Sequence, residues 1–222
     1  MIITIDGPAG AGKSTVAQAL ARRLGFRFLD TGAMYRAVAL AGIRRKVDWD
    51  RPEQLARLAG SLDIRAVGSR MFVDGQDVSE AIRCREVTAA ARYAADNPAV
   101  RRRLVALQRE VAGDHDIVTE GRDQGTEVFP DARCKIFLTA DPAQRARRRL
   151  RDLESRGESA TIEEVLTAQE RRDREDSFRE IGALAPAADA VEVCTDTMTF
   201  DEVVDRLESL VKSRLGSVGD NR

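Results

Sequence analysis

Apolar positions along this chain repeat with two alternating periods. Ile2, Ile3 and Ile5 form a β-branched run of strand length. Val16, Ala17, Leu20, Ala21 and Leu24 then recur at helical spacing, and Gly25 stops that helix. Phe26-Arg27-Phe28-Leu29 predicts a second strand ending at Asp30-Thr31-Gly32, followed by a helix over 33–45. Pro52 opens a helix running to Leu62. The alternation then breaks. Ile64 and Ala66, then Met71, Phe72 and Val73, predict two short strands around Gly68-Ser69, with a turn at Asp74-Gly75. Ser79 opens a helical stretch to about Ala95, Asn97-Pro98 interrupts it, and 99–112 is a helix rich in arginine. Residues 116–119 and 134–138 read as the third and fourth core strands.

Asp141-Pro142 is a helix start. Thr161 and Glu164 stand at capping-box spacing before a helix that runs into 171–179. Residues 190–194 are a fifth strand, 200–215 the closing helix and 216–222 a loose tail. Strands alternating with helices predict an α/β fold: a doubly wound, five-stranded parallel sheet flanked by helices, with a small β-containing insertion.

Composition narrows the class. The chain has 222 residues, enough for one α/β domain with insertions. Its 36 basic and 37 acidic side chains nearly cancel, which argues against a general polyanion binder, so no nucleic-acid partner is expected. Cys84, Cys134 and Cys194 are scattered and His115 is the only histidine, a poor set for zinc. Cys134 and Cys194 lie in apolar runs and read as buried small hydrophobes. The first strand begins at Ile2 with no leader before it, and no apolar run approaches the roughly 20 residues of a membrane span. A cytoplasmic protein with no membrane partner is the expectation.

The candidate chemistry sits between the first strand and the first helix. Gly7-Pro8-Ala9-Gly10-Ala11-Gly12-Lys13-Ser14, followed by Thr15, matches G-x-x-x-x-G-K-[ST] in the strand–loop–helix context a P-loop requires. Glycines let backbone N–H groups converge on phosphate oxygens, and the helix N-terminus adds partial positive charge. Lys13 can reach the β- and γ-phosphates of ATP, and the Ser14 hydroxyl can ligate Mg²⁺. A dinucleotide fingerprint fits worse, since the third glycine is missing.

Three strand ends carry polar clusters: Lys13 with Ser14, Asp30 to Arg36, and Arg122 with Asp123. A fourth cluster, Arg172, Asp176 and Arg179, has spacings that place it on one helix face. Arginine runs at 145–151 and 171–179 are ordinarily solvated helix faces. Beside a P-loop they gain a second reading as phosphate clamps, because the guanidinium fork gives two parallel charge-assisted bonds. Transfer to a phosphate acceptor suits this composition. The acceptor oxygen is already ionised near neutral pH, so what is needed is charge neutralisation and exclusion of water. There is no NKxD guanine signature, and no apolar run ends in an aspartate of Walker B type.

With those motifs in hand, the chain resembles the bacterial cytidylate kinases among the nucleoside monophosphate kinases. The resemblance is carried by IDGPAGAGKST at 5–15, LDTGAMYRA at 29–37, NPAVRRRL at 97–104, EGRDQGTEVFPDA at 120–132 and RDREDSFREIGALAPAADA at 172–190. It implies transfer of the γ-phosphate of ATP, with Mg²⁺, to CMP and dCMP. It implies a single domain with its core at about 1–36, 96–150 and 179–215, a monophosphate-binding insertion at about 37–95, and a short lid at about 151–178. By position it implies Lys13, Arg122 and Arg172 as catalytic, and residues 7–15 as the ATP cradle. For CMP it implies Arg36 and Arg122 on the α-phosphate, with Tyr35 also lining the site. Thr31, Arg172 and Asp176 would lie at the ribose, and Arg101, Asp123 and Arg179 at the cytosine. Arginines within 145–174 would cover the transferred phosphate. The resemblance also implies a monomer whose partners are nucleotides.

Three positions depart from the family pattern. Glu120 stands where many relatives have Asp, Arg92 where some have a base-contacting serine, with Thr88 the nearest hydroxyl, and Gly182-Ala183-Leu184 where x-Pro-Leu is usual. Two further readings stay open from the residues alone. One is a P-loop kinase of another acceptor, UMP or a small alcohol. The other is a non-catalytic ATP-binding regulator.

Overall fold

Ile3 and Ile5 are fully buried on β1 (Ile2–Asp6), the middle strand of a five-stranded sheet. The computed structural model describes residues 1–155 and 157–216, so the tail expected at 216–222 lies, beyond Gly216, outside the described residues. The sheet runs β2 (Arg27–Asp30), β6 (Ile117–Glu120), β1, β7 (Cys134–Thr139), β8 (Val191–Cys194). β1 pairs in parallel with β6, Ile3 beside Val118, and with β7, Ile5 beside Ile136; β7 pairs in parallel with β8. Burial on β1, β6 and β7 is nearly continuous rather than alternating, as expected where helices cover both faces.

The chain divides into two compact units. One comprises Met1–Phe26 and the chain from Asp116 onward, the other Arg27–His115. In the first, α1 (Lys13–Leu24) packs on β6 and on α8 (Phe200–Gly216) through buried Leu20, Val204 and Leu207. Arg23 of α1 pairs with Asp205 and Glu208 of α8. α6 (Pro142–Glu154) and α7 (Ile162–Ser177) pack against each other. Both begin as their caps predict. Asp141 accepts from Ala143 N–H at 2.8 Å, and Thr161 and Glu164 exchange both capping-box bonds.

In the second unit α2 (Thr31–Arg44) packs against α3 (Pro52–Ser61) and α4 (Arg85–Ala95), and α3 against α5 (Pro98–Ala112). β3 (Ile64–Val67), β4 (Arg70–Val73) and β5 (Gln76–Asp77) form an antiparallel sheet. The ring of Trp49 stacks on Tyr93 at 4.8 Å.

Several expectations need correction. The β insertion has three strands, because the chain reverses again at Gly75 (φ 79°). Ser79 does not open a long helix. Its hydroxyl accepts from Met71 N–H at 2.9 Å, one short turn follows at Ala81–Arg83, and extended Cys84 (ψ 158°) separates it from α4. The second strand stops at Asp30 and the next helix starts before residue 33: Asp30 is the N-cap and Thr31 is already helical. Cys134 is buried, but Cys194 is exposed, because β8 is an edge strand whose alternation turns that residue outward. α7 ends at Ser177, so Arg179 lies past the helix rather than on its face.

Two glycines give opposite expectations. Gly7 has φ 145°, and a Cβ there would sit 2.1 Å from the carbonyl oxygen of Leu138 on β7. Gly7→Ala must displace that strand and should destabilise the chain by about 2–5 kcal/mol. Gly60 in α3 has open space around its Cβ direction. Gly60→Ala should stabilise by about 0.4–1 kcal/mol through lost unfolded-state entropy. Urea midpoints of both variants read this directly. A midpoint for Gly7→Ala equal to that of the parent chain would contradict the close approach.

Candidate active site

The loop between β1 and α1 bends through Gly7, Gly10 (φ 77°) and Gly12 (φ 89°), conformations that free its N–H groups from side-chain crowding. Lys13 heads α1 and is 5% exposed. Its ammonium donates to the Pro8 carbonyl at 2.8 Å. Burial, then the nearby Arg122 and Arg172, push its pKa down from 10.5 to about 7, against the pull of Glu120 and Asp6. Asp6, at the end of β1, has its pKa raised to about 6 by burial and by Asp123. Two backbone N–H bonds, from Gln124 at 2.9 Å and Gly125 at 2.8 Å, oppose that rise, as does Lys13. Asp6 thereby anchors the segment after Asp123, which turns through a single wide helical turn at Gln124–Val128.

Ser14 donates to Glu120 Oε1 at 2.8 Å. Glu120 closes β6, so an acidic residue does stand at a strand end beside the P-loop. Glu120 is noted in the sequence as a departure from Asp, but its place at a strand end is masked there because the strand is Ile-Val-Thr-Glu, with Thr119 in place of an apolar residue. Thr119 is nonetheless fully buried, its hydroxyl bonded to Gln124 Oε1 at 2.9 Å.

Asp176 gathers the expected arginines. Its Oδ2 accepts from Arg122 Nε at 2.9 Å and its Oδ1 from Arg179 at 2.7 Å. Burial acts to raise its pKa, but Arg122, Arg172 and Arg179 outweigh burial and hold the carboxyl below its ordinary range. Asp123 is buried beside this group. Lys13, Ser14, Arg122, Asp123, Arg172, Asp176 and Arg179 therefore all belong to the first unit.

The arginine run of α6 divides. Arg147 and Arg151 are exposed, as a solvated face would be. Arg145 is buried, bonded to the carbonyls of Ala140 and Ala9 and paired with Asp173. Arg148 is held by the hydroxyl and carbonyl of Thr195, at 3.0 and 3.1 Å. Asp6, Asp173 and Gln169 were not singled out from sequence. Each is a polar residue in an ordinary local pattern; burial marks Asp6 and Gln169, and only its bonds to Ala9 and Arg145 mark Asp173.

Thr31, Tyr35, Arg36 and Arg101 belong to the second unit. Asp30 caps α2 by accepting from Ala33 N–H at 2.8 Å, and the same carboxylate takes Arg36 at 3.2 Å. The Nε of Arg36 is buried without a hydrogen-bond partner among the described residues, an anion-seeking donor at a helix N-terminus. Thr31 is buried as the first residue of α2, and Arg101 lies over the Tyr35 ring at 5.8 Å. Arg92, at the serine position of relatives, is exposed and spreads over Tyr93, donating to its hydroxyl at 2.9 Å. Beyond α7, Leu184 N–H bonds back to the Asp176 carbonyl at 2.9 Å across Gly182 (φ 71°), tying down the segment that lacks the usual proline.

A parallel sheet with a phosphate loop and a buried lysine facing arginines defines a P-loop kinase. The family model for cytidylate kinase matches residues 3–213. A cytidylate kinase of Rhodopirellula baltica is 53% identical, with 96% of this chain and 93% of that protein covered. One of Pelotomaculum thermopropionicum is 49% identical, covering 95% and 96%. Among solved structures, a shikimate kinase of Bacteroides thetaiotaomicron superposes with a TM-score of 0.50 at 17% identity, over 96% of this chain and 98% of that one, a likeness of fold. The chain belongs to the cytidylate kinase family.

Burying Lys13 has a testable sign. A lysine whose folded pKa is depressed adds stability only above its unfolded value of 10.5, and that contribution is lost as pH falls through about 7. At pH 6 the buried charge is therefore a burden on the nucleotide-free fold. Lys13→Met should raise Tm at pH 6 by about 3–8 °C, with a smaller gain at pH 9, while abolishing nearly all turnover. Thermal melts at both pH values check this. A lower Tm at pH 6, or an equal gain at both, would show that Lys13 is not strained by burial.

Proposed function

We propose that this protein transfers the γ-phosphate of ATP to CMP, giving ADP and CDP, with dCMP as a further acceptor. The observation that carries the reading is the cation cluster at the phosphate loop: buried Lys13 flanked by Arg122 and Arg172, with Asp176 fixing the arginines. Such a cluster suits transfer between two phosphates, where positioning and charge stabilisation supply the catalysis. An alcohol kinase would have less use for it.

The residues take these roles. The N–H groups of residues 7–15 cradle the donor phosphates, and Lys13 exchanges its bond to Pro8 for phosphate oxygens. Arg122, with its Nε already held by Asp176, presents its remaining N–H groups to the acceptor α-phosphate, and Arg172 meets the transferred group. Arg36 brings its unsatisfied Nε to the acceptor phosphate, with Tyr35 lining the acceptor's site. Thr31 and Asp176 serve the ribose; Arg101, Asp123 and Arg179 serve the base. The segment over 37–95 receives the monophosphate, and 151–178 is the lid.

Kinases of this class generally use Mg²⁺. Among the described residues no group of three or more His, Cys, Asp or Glu forms a metal cage. That suits Mg²⁺, which keeps its waters and takes one or two protein oxygens beside substrate phosphates. Ser14, backed by Glu120, fits that need with an oxygen-only pair. The ion would neutralise charge on the transferring phosphoryl group. The protein acts in the cytoplasm as a monomer, and no described helix is long and apolar enough to cross a membrane.

ADP release measured against CMP, dCMP, UMP and a small-alcohol panel tests the reading. CMP should lead, and a chain releasing ADP with no monophosphate would end it. Base choice gives a sharper test. Cytosine offers an exocyclic amine to the Asp123 carboxylate, whereas uracil sets a carbonyl there. An unpaired buried group at about 1–3 kcal/mol gives roughly fivefold to 150-fold discrimination in kcat/KM. Asp123→Asn can turn its amide toward that carbonyl, so the CMP to UMP ratio should narrow. Equal slowing of both substrates would take Asp123 out of base recognition.

A further inference from the structure

One residue of the phosphate loop is gripped from outside the loop. Asp173 Oδ1 accepts from Ala9 N–H at 3.2 Å. Asp173 Oδ2 accepts from Arg145 Nη1, and the same Nη1 donates to the Ala9 carbonyl at 2.9 Å. Gln169 Nε2 donates to that carbonyl too, at 2.9 Å. Both the N–H and the C=O of Ala9 are thus held by side chains of α6 and α7. The grip is close: a Cβ on Gly10 would come 3.0 Å from Gln169 Nε2 and 3.2 Å from the Arg145 carbonyl. Arg145 and Gln169 are 5% and 7% exposed, and Gln169 Oε1 is buried without a partner among the described residues. The contact is partly shielded from water, with the Asp173 side chain 17% exposed against 6% for Arg145, so charge counts for more there than at the open surface.

We infer that Asp173 is a positioning residue for the donor triphosphate, acting through Ala9 and Arg145. Its carboxylate is an anion seated on one of the N–H groups of a loop built to collect anions. It also keeps the Arg145 guanidinium engaged, so that this cation is withheld from phosphate. Asp173 therefore holds the empty loop in shape and lowers its affinity for triphosphate. This rests on the ATP reading above.

The test uses the full chain and calorimetric titration with a non-hydrolysable ATP analogue and, separately, uncharged adenosine. Asp173→Asn keeps an oxygen for Ala9 N–H and removes the charge. It should bind the analogue about three- to tenfold more tightly, with adenosine unchanged and the gain shrinking at high salt. Arg145→Gln leaves the carboxylate without its cation and should weaken the analogue more than adenosine, so the inference stays testable if Asp173→Asn folds poorly. A purely structural strut would make Asp173→Asn bind the analogue no better, or shift analogue and adenosine alike. Either result overturns the inference. If the parent chain binds the analogue and Asp173→Asn does not tighten it, this inference alone fails. If the parent chain does not bind the analogue at all, the ATP reading fails with it.

Discussion

An ammonium group buried at the head of a helix is stable only where carboxylates and carbonyls face it, and Lys13 sets that constraint on everything around it. The helix N-terminus is itself positive, and Arg122 and Arg172 add to it. Left alone, this concentration of positive charge would push its members into solvent. Glu120 at the end of β6 and Asp6 at the end of β1 supply the opposing charge from two adjacent strands of the sheet. The strand order thus bears directly on the electrostatics, because parallel strands bring their carboxyl ends, and the acids on them, to one edge.

The carboxylates are apportioned rather than pooled. Asp176 serves Arg122 and Arg179, Asp173 serves Arg145, and Asp6 spends both oxygens on the backbone of the segment after Asp123. Each of these cations is thus fixed by a carboxylate of its own, and Arg145 by two backbone carbonyls as well. That is a preorganised field, aimed before any ligand arrives, which is how charged groups contribute most in a reaction that makes and breaks bonds to phosphate. The arrangement costs stability in the empty protein. Burial opposes the charged forms of both Lys13 and Asp6. Natural chains tolerate such strain where function requires it.

Much of this was legible from the sequence. The central strand, the loop and α1 follow from Ile3, Ile5, three glycines and the stripe at Val16, Ala17 and Leu20, because local spacing alone determines them. The caps Asp141 and Thr161 were legible for the same reason. What escaped was of two kinds. Short-range backbone choices escaped where one side chain overrode a pattern, as when the Ser79 hydroxyl closes on Met71 instead of starting a helix. Long-range polar contacts escaped altogether. Ser14 and Glu120 are 106 residues apart, and Ala9 and Asp173 are 164 apart. No periodicity reports a pairing over such separations. Exposure misled in the same way for Cys194, whose apolar neighbours say nothing about lying on an edge strand.

The second unit solves the charge problem with a shorter device. Asp30, Ala33 and Arg36 are spaced by three, so all three lie along one side of the first turns of α2. Asp30 caps the helix through Ala33 N–H and turns the rest of its carboxylate to Arg36. Gly32 lies under this pair, where a Cβ would come 3.1 Å from the Arg36 guanidinium. A Cβ there would oblige the guanidinium to give by a few tenths of an ångström. The pattern D-T-G-x-x-x-R is therefore one physical unit: a cap, a helix start, a gap and a cation folded back over the positive end of its own helix. Such a cation gains nothing from the helix dipole, so its position is favourable only through Asp30 or through a bound anion. Its buried, unsatisfied Nε marks the share that Asp30 does not fill.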